Sequence, residues 1–577
     1  MQKSTEHNRV WFVGAVLLCA LCSLAGRLAF LHLANHSKLN DFEYSRQLLG
    51  MRGRIFDSNG IQFPLAISLT ARQYFVDPKM IKKDHDKQYI MQVVSSALKL
   101  PIDQVAECFS RTNSRYVKLG EPTCDDNAFA QLSTNKLLSG IGSGETIVRS
   151  YPQGRRMSHV LGFVNKEGVG SAGVELKYNG YLKGIAGLIE GEKDAMQTEI
   201  RDRRKIDVQA IAGSDVHLTL DHNIQYEVET ALREGIEKCQ ANAGWAIVQN
   251  IKTGAIMAMA SFPDFEPANY NDETKDVWRN KNFSEIFEPG SIMKAFTVAA
   301  ALNEHIVTPN TMFDVGEGIF FWAGKPLRDH VTGHITVTTA LKKSSNIACA
   351  KMGIQLTPKR VETYFRSFGF GSPLGLDLPG EEGGILLRGK DWDRDKLKIT
   401  RVPIGQGVCV TAVQMVNGYS MLANGGKVMK PYVIDKIISA NGQVILKNEP
   451  TVLARPIRPE VARSVCDMLV GVTEDGGTGK RAGVKGYSVA GKTGTAQQVG
   501  PGGYSSTDYW ASFVGFVPAS NPIFCVLVTI DRPDPKKPRT GGVVAAPVFS
   551  RIATTTARYL GIPPDMPEDA DSDVKEM

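Results

Sequence analysis

The sequence predicts an α+β protein: a C-terminal domain in which an antiparallel sheet is flanked by helices, preceded by an irregular α+β accessory domain and one N-terminal transmembrane helix. Three observations carry that reading. The chain opens on a long uncharged run. Residues 36–215 hold short apolar runs and glycines, with one sustained helical period at Lys87–Leu100. Beyond Val216 the elements follow as strand, helix, hairpin, helices, three strands and a last helix, the order of an antiparallel sheet with helices laid on it.

The apolar run comes first. Val10–Gly26 carries no charge and the apolar character resumes after Arg27 to Leu33. Residues 10–33 therefore exceed the roughly 20 residues that a bilayer requires. Lys3 and Arg9 precede the run, so the positive-inside rule puts residues 1–9 in the cytoplasm and all that follows outside it. A cleaved signal peptide is the alternative, with Ser23-Leu24-Ala25 as the small-x-small site. Cys19 and Cys22 read as apolar side chains in lipid.

Residues 36–192 form the accessory domain, and the charged stretch 193–215 reads as a hinge. The C-terminal domain, 216–560, begins with a strand at Val216–Leu220. A helix follows with Asp221 as its N-cap and Ile224, Val228 and Leu232 at four-residue spacing. Gly244–Asn250 and Ala255–Ser261, joined by Ile251–Gly254, read as a hairpin. Helical patterns recur at Met293–Leu302, Val337–Lys343, Lys359–Phe368 and Pro459–Val472. Strand patterns recur at Tyr487–Lys492, Tyr509–Val517 and Phe524–Ile530, before a last helix at Ala546–Tyr559. Residues 561–577 are acidic with paired prolines and read as a disordered tail.

Composition narrows the function. A chain of 577 residues with 42% hydrophobic and 22% charged residues is globular and multidomain. Its formal charge of +7 is too dilute for a nucleic-acid surface. Nine cysteines are too few for a disulfide scaffold, and Cys349, Cys409, Cys466 and Cys525, set among apolar residues, read as buried thiols. The pairs His32/His36 and His330/His334 lack the glutamate of a zincin, and Gly333 disfavours a helix across the second pair. His159 and His217 read as structural. No metal and no cofactor is expected.

Three short elements carry chemistry: Ser291-Ile292-Met293-Lys294, Ser344-Ser345-Asn346 and Lys492-Thr493-Gly494-Thr495. A second set occurs in the same order, Ser96…Lys99, Ser133-Thr134-Asn135 and Lys252-Thr253-Gly254. Context separates them. Ser291 follows Pro289-Gly290 and opens an apolar run, at a helix N-terminus with Lys294 one turn away on the same face. A desolvated lysine beside a second cation, Lys492, has a depressed pKa and can take a proton from the serine hydroxyl. Lys492–Thr495 ends a strand whose edge can pair with an extended substrate. In the second set, Ser96 sits mid-helix and Lys252–Gly254 is a hairpin turn. Taken singly, each reads more readily as structure than as catalysis: Ser291 as a helix cap, Ser344 and Asn346 as a solvated helix end, and Lys492 as a surface lysine.

The trio resembles the signature of penicillin-binding proteins and class A β-lactamases. Phe287–Lys294 is similar to the nucleophile segment of the transpeptidases, and Val216–Leu560 to their catalytic domain. Upstream, Arg52-Gly53…Asp57-Ser58-Asn59-Gly60, Arg149-Ser150-Tyr151-Pro152-Gln153-Gly154 with His159 and Gly162, and Gly170–Glu175 with Leu182, Gly184 and Gly187 resemble the accessory domain of class B members. Ser58 departs from the arginine of that pattern, which puts an ion pair there in doubt; Ser158 and Phe163 stand where alanine and tyrosine are expected. Gly405-Gln406-Gly407 with Thr411 and Gln414 resembles another family segment and reads equally as a helix-entry loop. Tyr509-Trp510 reads as core.

The resemblance implies a peptidoglycan D,D-transpeptidase that cross-links stem peptides from D-Ala-D-Ala through an acyl-serine. Ser291 would be the nucleophile and Lys294 the base. Ser344 would relay the proton, Asn346 would hold Lys294 and the substrate amide, and Lys492 would set the potential. Thr493-Gly494-Thr495 would bind the substrate, the two hydroxyls taking its carboxylate and the N–H groups of Ser291 and Thr495 forming the oxyanion hole. β-Lactams would acylate Ser291. A septal (FtsI-type) role is favoured over elongation, because little sequence is inserted near the serine. The partners implied are stem peptides, β-lactams, and a polytopic glycan polymerase with other division proteins, contacted through residues 1–190. The location is the bacterial inner membrane, single-pass, with the catalytic domain periplasmic. A β-lactamase is the enzymatic rival, but no Glu-x-x-Leu-Asn lies between Ser344 and Lys492. A catalytically weak scaffold is the other.

Overall fold

The structure, a computed structural model, describes residues 3–566 apart from 40–42, 61–63, 82–83, 134–137, 139, 195–197 and 501. Most of the acidic tail, the side chains of His32 and His36, and Thr134 and Asn135 of the second motif set lie outside the described residues.

The chain forms two compact units. The first comprises residues 1–52 and 183–213. It contains helix α1 (Lys3–Leu39), whose stretch Trp11–Phe30 is long and apolar enough to cross a membrane, alone in that among the described residues. Its sheet pairs Glu43–Leu48 antiparallel with Gly187–Lys193, which also pairs with Glu199–Ile200 and Ile206–Val208. Part of the charged stretch read as a hinge thus carries strands.

The second unit comprises residues 53–182 and 214–577. A seven-stranded sheet runs through it. The short strand Ile55–Phe56 pairs parallel with Asp215–Leu218 and antiparallel with Pro64–Val76, and the far side of 215–218 pairs with Ile434–Ile438. The strand expected at 216–220 therefore belongs here. The three upstream motifs meet at one buried ion pair. Arg149 Nε donates to Glu175 Oε1 at 2.7 Å, with side chains 3% and 0% exposed, and Arg149 Nη1 donates to the Gly53 carbonyl at 2.7 Å. The Ser58 position is exposed, while its neighbour Asp57 is buried against His222 at 2.6 Å.

The catalytic part follows the expected order. Asp221 caps α2 (His222–Cys239) by accepting from Asn223 N and Ile224 N. The hairpin β1 (Ala243–Asn250) and β2 (Ile256–Phe262) comes next. Then come α3 (Lys294–Asn303), β3 (Lys325–Arg328), α4 (Asn346–Ser367), α5 (Ala412–Ala423) and α6 (Pro459–Thr473). The helix read at Lys359–Phe368 is the second part of α4, which breaks at Thr357-Pro358; proline removes a backbone donor and clashes with the preceding turn. Last are β4 (Ala490–Gly500), β5 (Gly503–Val517), β6 (Phe524–Asp531) and α7 (Ala546–Tyr559). These strands form one antiparallel sheet in the order β2-β1-β6-β5-β4.

Strand alternation decides which helices cover which face. Ala246, Val248, Val526 and Val528 pack with Val228, Leu232, Phe549 and Ile552 of α2 and α7. Trp245, Ile247, Val514 and Leu527 turn the other way, onto Phe296, Ile347, Tyr419 and Val465 of α3–α6. Both faces are covered, so the strands are buried nearly throughout. Chemistry is left to the open edge at β4.

Candidate active site

Ser291 lies in one 3₁₀ turn, Gly290–Met293, which leads into α3. The expected helix N-terminus is thus a tighter turn ahead of the helix. The segment around it is clamped on three sides. Phe287 bridges Val410, and Gly290 N donates to the Gly405 carbonyl at 3.0 Å. A side chain at Gly405 would place Cβ 2.0 Å from the Gly290 oxygen, and its φ is +84°, so glycine alone fits. On another side Gly494 of β4 packs against the Pro289 carbonyl, which a Cβ there would meet at 3.0 Å. From beneath, Tyr419 Oη donates to the Ile292 carbonyl at 2.8 Å.

Lys294, at the start of α3, is fully buried. Its Nζ lies 2.6 Å from the Ser344 carbonyl, 2.7 Å from Asn346 Oδ1 and 3.1 Å from Ser344 Oγ. Burial pulls its pKa down to about 8, against the opposing pull of Cys349 and Asp329. As a neutral amine it keeps two N–H donors for the two carbonyl-type oxygens and a lone pair for a hydroxyl. Lys492, also fully buried on β4, is pushed well below the ordinary lysine range by burial and then by the charge of Lys294. Among the described residues its amine hydrogen-bonds only to its own neighbour Thr493, at 3.3 Å to the carbonyl. The surface-lysine reading of Lys492 is thereby excluded.

Ser344 is buried, at φ +62°, and Ser345 instead caps α4 by accepting from Ala348 N at 3.2 Å. The solvated-helix-end reading of Ser344 fails for that reason. Ser345 Oγ and Ile347 N both donate to Asp329 Oδ2, at 2.5 and 2.9 Å. Thr493 Oγ1 lies 2.9 Å from Thr478 Oγ1, and Thr495 Oγ1 accepts from Gly541 N at 3.1 Å. Lys492–Thr495 lie inside β4, which runs on to Gly500, rather than at its end. Ser291, Asn346 and Thr495 line one cleft of about 370 Å³. The structure thus gathers all three motifs. The second set is scattered: Ser96 is exposed on a helix, Lys99 pairs with Asp125, and Lys252–Gly254 is a turn.

Several side chains at the site escaped the sequence. Glu288, next but two before the nucleophile, accepts from Gly407 N at 2.9 Å and from Tyr504 Oη at 3.1 Å, and its burial raises its pKa. Asp329 anchors the start of α4. The repeated glycines at 405 and 407 were a usable signal: the segment is both the entry to α5, with a Thr411–Gln414 capping box, and the clamp on the nucleophile turn. Trp510 packs on Phe287, with ring centroids 6.2 Å apart. His159 is buried on the Val277 carbonyl and His217 stacks on Phe56. Cys349, Cys466 and Cys525 are buried; Cys409 is only half-buried.

A hydroxyl at a constrained turn, a desolvated amine and an adjoining strand are groups suited to acyl transfer. Known proteins agree. Residues 244–554 match the model of the penicillin binding protein transpeptidase domain, and residues 47–218 that of the penicillin-binding protein dimerisation domain. A probable peptidoglycan D,D-transpeptidase, PbpC, of Pseudomonas aeruginosa is 30% identical over 98% of both chains. Peptidoglycan D,D-transpeptidase FtsI of Escherichia coli is 31% identical over 96% of this chain and 92% of that one. The crystal structure of penicillin binding protein 3 from Mycobacterium tuberculosis with aztreonam is 26% identical, with a TM-score of 0.70 over 90% of this chain and 99% of that one. On the match to more than half its length and on these full-length relatives, the chain belongs to the penicillin-binding protein transpeptidase family, in the class that carries a dimerisation domain ahead of the catalytic one.

Proposed function

We propose that this peptidoglycan D,D-transpeptidase works through an acyl-serine at Ser291, that it serves the division septum, and that α1 anchors it in the cytoplasmic membrane with the catalytic domain outside. Neutral Lys294 takes the proton as Ser291 Oγ attacks the carbonyl between the two terminal D-alanines. The oxyanion rests on the N–H groups of Ser291 and Thr495. Collapse breaks the C–N bond, and Ser344 passes the proton to the leaving amine, releasing D-alanine. An amine of a neighbouring stem then attacks the ester, its proton returns through the same groups, an amide forms and Ser291 is restored. Asn346 holds Lys294 and the substrate amide. Lys492 keeps the local potential positive, while Thr493 and Thr495, either side of Gly494, bind the terminal carboxylate.

The observation that carries the reading is Lys294: a fully buried lysine whose amine meets Ser344 and Asn346, one residue turn from Ser291. The septal role is supported by the likeness to FtsI over nearly the whole chain. A membrane-embedded glycan polymerase is the partner that a cross-linking enzyme of this kind needs, met through residues 1–190.

The test is covalent labelling of the membrane form by a fluorescent penicillin. Stable label is expected on wild type and on Ser96→Ala, and none on Ser291→Ala, with intact mass locating the adduct. Rapid loss of the label would point to hydrolysis instead of transfer. Folded wild type that never labels would sink the acyl-serine mechanism and favour a scaffold.

A further inference from the structure

The cleft beside Ser291 has basic side chains that the reaction above does not use. Its lining includes Arg328 and Arg401 and no carboxylate. Among the described residues neither guanidinium forms an ion pair, although many other arginines, Arg149, Arg155 and Arg204 among them, do. Both are held by one arm of the structure. β3 ends at Arg328, and the catalytic Asn346 donates through Nδ2 to the Arg328 carbonyl at 2.9 Å. The next residue, Asp329, is tied to the first turn of α4 by Ser345 and Ile347. Arg401 donates through Nη2 to the Pro326 carbonyl of the same strand at 3.1 Å. Leu327 between them is buried. The main chain of Arg328 is therefore fixed to the helix start that carries Ser344 and Asn346, and Arg401 braces that strand from the cleft.

Two arginines in the lining of a carboxylate-free cleft attract an anion, and the planar guanidinium fork matches a carboxylate. We propose that Arg328 and Arg401 form an anion subsite that selects stem peptides bearing a side-chain carboxylate near the reacting group. The inference rests on the acyl-serine reading. The chemistry is the same whether the carboxylate belongs to the donor stem or the acceptor stem, so the test has two arms.

In the donor arm, full-length protein is acylated by two penicillins that differ by one carboxylate on the acyl side chain, and the ratio of rate constants is read. In the acceptor arm, acyl transfer from a thioester donor is run with amines that differ by one carboxylate, and the product ratio is read. In one arm wild type is expected to favour the carboxylated partner by about tenfold, the effect of one charge-assisted hydrogen bond, and less so as ionic strength rises. The ratio should fall towards one in Arg328→Gln and Arg401→Gln and largely survive in Arg328→Lys. The responding arm identifies the stem. No preference in wild type in either arm, or a preference that both glutamine variants keep, overturns the subsite. Each ratio is internal to one protein, so a general loss of activity does not imitate the result. Failure of the acyl-serine reading looks different: wild type then takes label from neither penicillin.

Discussion

Two buried charge clusters in the second unit invite comparison. Arg149 and Glu175 are opposite charges in contact, with Arg149 Nη1 also donating to the Gly53 carbonyl and to Ser68 Oγ at 3.2 Å. Lys294 and Lys492 are like charges, equally buried, and among the described residues no carboxylate reaches ion-pair distance of either. Burying an ion without its counter-ion costs several kcal/mol, and where two such lysines adjoin, one of them answers by giving up its proton. The first cluster pairs its charges and ties three stretches of chain together. The second leaves them without a counter-ion and brings the Lys294 pKa down to about 8, so that a fraction of the amine is neutral near physiological pH, the state a general base needs.

The largest effect should come from the unsatisfied cluster. Lys294→Met removes the proposed base, and acylation by penicillin, followed by stopped-flow labelling, should slow by about 10²–10⁴-fold with little loss of thermal stability. A loss of stability instead of rate would make the two clusters alike. Glu175→Gln should do the reverse, because it strands a buried guanidinium. Unfolding in urea should show a loss of about 3–5 kcal/mol, with labelling per folded molecule near wild type.

A pH profile sharpens the contrast. Since the neutral amine is the reactive form and burial sets the Lys294 pKa at about 8, the acylation rate should climb with pH through about 8 and then level. The Asp329 carboxylate raises that pKa, so Asp329→Asn should move the midpoint to lower pH. A midpoint near the ordinary lysine value would mean that Lys294 is solvated when it acts.

What the sequence disclosed follows the same division between local and distant causes. The Asp221 cap, the 243–262 hairpin and the order of the last three strands are written in neighbouring residues, and they were legible. The extension of β4 to Gly500 was not, because Gly494–Gly503 is polar and glycine-rich; only pairing with β5 makes it a strand. Nor was the continuity of α4, whose second part begins with Pro358. At the site, Ser291, Lys294, Ser344, Asn346 and Lys492–Thr495 were named from their motifs and flanks. Glu288, Asp329, Arg328 and Arg401 were not. Glu288 meets Gly407 and Tyr504 across more than 100 residues of chain, and Arg401 reaches the strand that carries Arg328 across more than 70 residues, through the Pro326 carbonyl. Nothing in their immediate sequence marks such residues.

Ser344 sits at φ +62°, in the left-handed region where a side chain is strained and glycine is not. Ser344→Gly should therefore relax the backbone, offsetting glycine's greater freedom in the unfolded chain, and leave the melting temperature equal or slightly higher while transfer fails for want of the hydroxyl. Selection for durability alone would drift this position towards glycine. On the proposed relay role, a serine here trades backbone ease for turnover, and a chain of the same architecture bearing glycine at this point should fold as well and fail to cross-link.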